Sequence, residues 1–146
     1  MRTGRILGEG PSCYHVMSRV VDRRFVFNQA EKERFRLLMR RLESFTGVEV
    51  LTYSIMGNHF HILVRVPDPK ELSDSELAER LCSIYSSSQV KDIIDQIQEF
   101  RRQGRNDLAE AVRSAYLGRM YNLACFMKEL KQRYTQGYNR RHRRRG

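Results

Sequence analysis

Two histidines two residues apart, His59 and His61, lie within Ser54-Ile55-Met56-Gly57-Asn58-His59-Phe60-His61-Ile62-Leu63-Val64-Arg65-Val66. The stretch from His59 is rich in β-branched and aromatic residues and is predicted to be a strand. Successive strand side chains point to opposite faces, so both imidazoles project one way and Phe60 the other. Two imidazoles converging from one face can hold a divalent metal against a phosphate oxygen, an arrangement that suits phosphodiester chemistry on DNA. They are too few for a closed structural zinc site with its full tetrahedral ligand set. They suit a metal that keeps positions open for water and phosphate, Mg²⁺ or Mn²⁺. On spacing alone, two exposed strand histidines without a ligand are the alternative.

The flanking elements must present that face. Carried through the turn with period two, Ile55, Gly57, His59, His61 and Leu63 share one side; Met56, Asn58, Phe60, Ile62 and Val64 share the other. The second set is the more apolar and is expected to lie under helices. Residues 13–21 give a first strand. Asn28, with Glu31 three residues on, should cap a helix carrying the apolar stripe Phe35, Leu38, Met39 and Leu42, ended by Gly47. Residues 48–55 and 59–66 pair as a hairpin across Met56-Gly57-Asn58. Strand, helix, strand, strand is the first part of a ferredoxin-like α+β sandwich: an antiparallel sheet with helices on one face.

After Pro67 and Pro69, Ser73-Asp74-Ser75-Glu76 is a capping-box sequence opening a helix to about Tyr85. Ser86-Ser87-Ser88 is expected to break it. Val90, Ile93, Ile94 and Ile97 predict a further helix, residues 108–117 another, and residues 120–138 a longer one with Leu123, Phe126, Met127 and Leu130 on its core side. The expected organisation is one domain over residues 1–146: a core at about 12–67, a helical insertion at about 73–118 and a basic helix at about 120–142.

Charge separates these parts. The chain has 146 residues, a net charge of +10 and a pI near 10.0. That balance favours a polyanionic partner, although a ribosomal or acidic-protein partner would fit it equally. Residues 68–99 hold eight acids against three bases, whereas residues 128–146 hold eight bases against one acid. Lys128, Lys131, Arg133, Arg140 and Arg141 are the candidate phosphate contacts, with Arg143, Arg144 and Arg145 either joining them or forming a solvated tail. The three scattered cysteines, Cys13, Cys82 and Cys125, suggest no disulfide framework. With no apolar run of spanning length and no secretion signal at the start, a cytoplasmic protein is expected. P-loop, dinucleotide and Ser-His-Asp patterns are absent.

Gly57-Asn58-His59-Phe60-His61-Ile62-Leu63-Val64 resembles the histidine-hydrophobe-histidine (HUH) motif of single-tyrosine transposases, in particular the REP-associated tyrosine transposase-like proteins of bacteria. Two more stretches resemble the same family. One is Tyr14-His15-Val16-Met17-Ser18-Arg19-Val20 with Phe25-Val26-Phe27. The other is Phe126-Met127-Lys128-Glu129-Leu130-Lys131-Gln132-Arg133-Tyr134-Thr135-Gln136 with Tyr138-Asn139-Arg140-Arg141-His142. The resemblance implies DNA transposition by cutting and rejoining single-stranded or hairpin DNA. His59 and His61 would be the metal ligands, and a tyrosine hydroxyl would attack the phosphate to leave a 5′-phosphotyrosine and a free 3′-OH.

In that family the attacking tyrosine lies on a later helix, beyond a Thr-Leu-Trp-type segment. This sequence has no tryptophan and ends at Arg143-Arg144-Arg145-Gly146. A chain lacking the nucleophile helix, able to bind metal and DNA better than to cleave, is therefore expected. Tyr134 and Tyr138, set among bases, are the substitute candidates; the alternative is that Tyr134 packs in the core or stacks on a base. A non-catalytic DNA-binding or RNA-binding module derived from such a transposase is the rival function. His15, on the first strand, could lie next to the histidine pair in the sheet, but it is read as an ordinary strand residue and left out of the site. A homodimer and a monomer are both compatible with the resemblance.

Overall fold

The computed structural model describes residues 11–19 and 27–142. Its elements are β1 (Ser12–Arg19), α1 (Gln29–Thr46), β2 (Glu49–Met56), β3 (His59–Val66), α2 (Asp74–Leu81), α3 (Ser87–Arg102), α4 (Asn106–Leu117) and α5 (Leu123–Arg141). Val20, Val21, Phe25, Val26, Arg143, Arg144 and Arg145, which figure in the sequence reading, lie outside the described residues.

The sheet has the order β1-β3-β2, and β3 runs antiparallel to both neighbours. β1 and β2 are therefore parallel, which requires a crossover, and α1 supplies it. This is the α+β arrangement expected. Phe60, Ile62 and Val64 of β3, with Val16 of β1 and Val50 of β2, bury themselves against Phe35, Met39 and Leu42 of α1 and Leu123, Phe126 and Leu130 of α5. The helices thus take the face opposite the histidines.

Local chemistry explains the ends of α1. Asn28 caps it, its side chain accepting from the Glu31 backbone N–H, and Gly47 closes it in the left-handed conformation with φ 78°. A Cβ on Gly47 would stand 2.6 Å from the Tyr121 ring, so both backbone and space call for glycine.

Three expectations need correction. Ile55 does not share the histidine face: it pairs with Phe60 and packs on the core side, while Met56 pairs with His59. The turn is only Gly57-Asn58, and a two-residue hairpin puts the residues on either side of it on the same face, so period two cannot be counted through it. Secondly, α2 stops at Leu81 and the break falls earlier than expected, over residues 82–86. Ser86 is its last residue and the capping-box residue of α3, accepting from the Gln89 N–H while the Gln89 side chain returns to its own, and Ser87 and Ser88 already belong to α3. Thirdly, α5 runs from Leu123 to Arg141, because Asn122 caps it.

The acidic segment builds a core of its own. Leu77, Leu81, Val90, Ile97, Ala109 and Met120 enclose Phe45 from the end of α1. Asp74 at the start of α2 pairs with Arg101 of α3 and Arg113 of α4, and those guanidinium contacts hold its carboxyl below the usual range. Arg113 also donates to the Leu72 carbonyl at 2.6 Å.

Candidate metal and nucleic-acid site

β3 alternates half-buried and buried residues along its length, and this places His59 and His61 together on the side away from α1 and α5. The register supplies their neighbours. Arg19, His59 and Met56 form one row across the sheet, Met17, His61 and Ser54 the next, and His15, Leu63 and Thr52 a third. Arg19, His15 and Ser54 are exposed, and Met17 and Met56 are 62% and 47% exposed, so this face is open.

The His59 and His61 rings lie 5.5 Å apart at an interplanar angle of 74°. Each nitrogen lone pair lies in its ring plane. Rings inclined this steeply are not stacked, so their in-plane lone pairs are not forced to run side by side. His59 Nδ1 lies 3.3 Å from Asn58 Oδ1. With the proton on Nδ1 that contact is a hydrogen bond, which leaves Nε2 as the ligand atom.

The basic helix is less uniform than its sequence. A helix turns by about 100° per residue. Lys128 and Lys131 therefore share one flank of α5, while Arg133 and Arg140 share the opposite one. Arg133 lies over the Tyr85 ring at 5.5 Å and pairs with Glu129 at 3.7 Å. Arg141 points to neither flank: it grips Glu31 of α1 at 2.6 and 3.2 Å. Lys128 and Arg140 are exposed, and Lys131 is half-buried.

The two tyrosines differ in setting. Tyr134 is buried against Phe27 and Phe35, its hydroxyl donating to Glu31 at 2.7 Å. Burial and then the Glu31 carboxylate push its pKa upward, away from the phenolate an attack requires. Tyr138 is half-buried, with the His142 ring at 4.1 Å. Both stand at the α1 end reached by Phe27, whose N–H bonds the Gly57 carbonyl at 2.5 Å, one turn residue removed from His59. By register, Tyr14 and Tyr53 pair with Val64 and Ile62, away from the histidine side.

Residues 12–104 match the family of IS200-like transposases. The chain belongs to that family. The match takes in β1, the histidine strand and the helices α2 and α3, and stops short of α5. No curated protein and no solved structure matches the chain.

For an IS200-like transposase the histidine pair is the natural place to test for a metal. Among the described residues no group of three or more His, Cys, Asp or Glu side chains is placed to hold one. A closed cage is thus not built here, but two inclined imidazoles on an open face suit an ion that completes its shell with water and a phosphate oxygen. Two residues that bear on this site are not assigned to it by the sequence, which allows His15 beside the histidine pair without fixing it there. His15 stacks on His61 at 5.4 Å, but no turn links β1 to β3, so nothing in the sequence fixes which β1 residue lies beside it. Glu31 was legible only as a cap residue; its buried carboxylate appears once α5 is packed.

Proposed function

We propose that this IS200-like transposase binds single-stranded or hairpin DNA with the open face of its sheet. A divalent cation, Mg²⁺ or Mn²⁺, is held there by His59 and His61 for tyrosine-mediated cleavage and joining of DNA strands. The observation that supports this best is the inclined imidazole pair on the exposed side of the central strand, within a matched transposase domain. When bound, the metal supplies Lewis-acid polarisation of the scissile phosphate and neutralises the charge that builds as the phosphorus is attacked. His59 and His61 would orient that phosphate through the ion they hold, and the exposed Arg19, which pairs with His59 across β1 and β3, offers charge for the neighbouring backbone.

Tyr134 is not the attacking group in this reading. Its hydroxyl is committed to Glu31 inside the core and its proton is held more tightly than in water. That same burial favours a second reading, a DNA-binding or RNA-binding module without catalysis.

A labelled hairpin with single-stranded flanks separates the two. Cleavage predicts a product that requires Mn²⁺ or Mg²⁺, a protein–DNA adduct surviving denaturation, and loss of both in His59→Ala with His61→Ala. Tyr134→Phe should leave the adduct yield unchanged. Metal-independent cleavage, or cleavage that survives loss of both histidines, would overturn the proposed site. Binding without any adduct, indifferent to metal, would support the module.

A further inference from the structure

We infer that His15 is a positioning residue for His61: its ring stacks, near parallel, beside the His61 ring and fixes the plane in which that imidazole presents its nitrogen. This inference rests on the reading of His59 and His61 as metal ligands. The two ligand rings are held by different means. His59 has Asn58 Oδ1 beside its Nδ1. For His61, the ring contacts among the described residues are with His59, edge to face, and with His15, whose ring is 5.4 Å away and inclined by only 17°.

The register accounts for the stack. His61 pairs directly with Met17, and His15 lies diagonally across β1 and β3 on the same face, within reach of an aromatic side chain. Rotation of the His61 ring about its Cβ–Cγ bond would swing its edge into the His15 ring, so the stack restricts that angle. Losing it leaves the ring free over a broad range, because such torsions have soft wells.

The same geometry argues against His15 as a third ligand. Its ring is stacked on that of His61 and inclined to it by only 17°, so the in-plane lone pairs of the two rings run side by side rather than converging on one ion. His59 meets His61 at 74° and has no such conflict. His15 therefore works through His61, as residues that orient metal ligands do.

Mn²⁺ alone is the probe, its binding to the full chain measured by calorimetry and by the loss of the free-ion electron paramagnetic resonance signal. Four proteins are compared: wild type, His59→Ala with His61→Ala, His15→Ala and His15→Phe. A positioning role predicts that His15→Ala weakens Mn²⁺ binding about tenfold, with an unchanged urea midpoint because the residue is exposed. His15→Phe keeps the stack and should restore wild-type affinity. Equal loss in both His15 variants would make His15 a ligand and overturn the inference; no loss in His15→Ala would make it a bystander and do the same. If wild type fails to bind Mn²⁺, or the double histidine variant still binds it, the ligand assignment itself falls, an outcome distinct from either.

Discussion

Glu31 shows how one side chain decides where an element ends up. It is 2% exposed, yet ionised, because it accepts from Tyr134 at 2.7 Å, from Arg141 at 2.6 Å and from Arg34 at 2.8 Å, with His142 Nε2 at 3.3 Å. Burial opposes the charge; the bonds from Arg141, Tyr134 and His142 overcome it and hold the pKa at about 2, against an ordinary value of 4.5. A carboxyl with a depressed native pKa stabilises the fold above its unfolded value, and that stability is lost as pH falls through the native one. The loss should therefore run from about pH 4.5 down to about 2. Glu31→Gln should flatten this acid limb in urea titrations while keeping an acceptor for Tyr134. Glu31→Ala should cost about 2 kcal/mol at neutral pH, since it removes the acceptor of the buried Tyr134 hydroxyl and of Arg141. Equal acid sensitivity in Glu31→Gln and wild type would show that the carboxylate does not anchor α5.

Glycines at the ends of helices test the element scale. Gly47 and Gly104 both have positive φ, 78° and 72°, but a Cβ on Gly47 meets Tyr121 whereas one on Gly104 meets open space. Gly47→Ala should lose about 3 kcal/mol, conformational strain plus the clash, and Gly104→Ala about 1 kcal/mol from strain alone. Urea midpoints measure the difference; equal losses would mean that the Tyr121 contact yields freely. Gly47 was readable as a helix end because its signal is local, as were the caps at Asn28 and Ser73 and the histidine alternation along β3. What could not be read were the relations between elements. The face of Ile55 depended on the length of the turn. The placing of His15 beside His61 depended on a register that no hairpin sets. The separation of Lys128 and Lys131 from Arg133 and Arg140 needed the core side of α5 to be known, and the withdrawal of Arg141 needed Glu31. In each case the sequence names the residue type, but packing chooses its neighbour.

Charge acts at the scale of the whole molecule. A net +10 is divided between an acidic stretch over residues 68–99 and a basic one over residues 128–146, so a nucleic acid approaching the chain meets opposite fields from its two parts. Part of the acidic stretch is spent internally, as with Asp74 between Arg101 and Arg113, and part of the basic one too, as with Arg141 on Glu31. The cations left for phosphate are therefore fewer than composition suggests, Lys128, Lys131 and Arg140 foremost on α5. Each phosphate neutralised on a single strand contributes about 0.7 to the slope of log affinity against log salt. Four such contacts would weaken binding roughly fiftyfold over a fourfold rise in salt. Lys128→Ala with Lys131→Ala should then lower the slope by about 1.4 if both meet the strand. Arg141→Ala should leave the slope alone and instead lower the urea midpoint, because its partner is a buried carboxylate. Fluorescence anisotropy on one labelled hairpin over a salt series reads all three proteins. If Arg141→Ala changed the slope as much as the lysine pair does, the Glu31 clasp would have to open when DNA binds, and α5 would meet the strand by its core-facing edge.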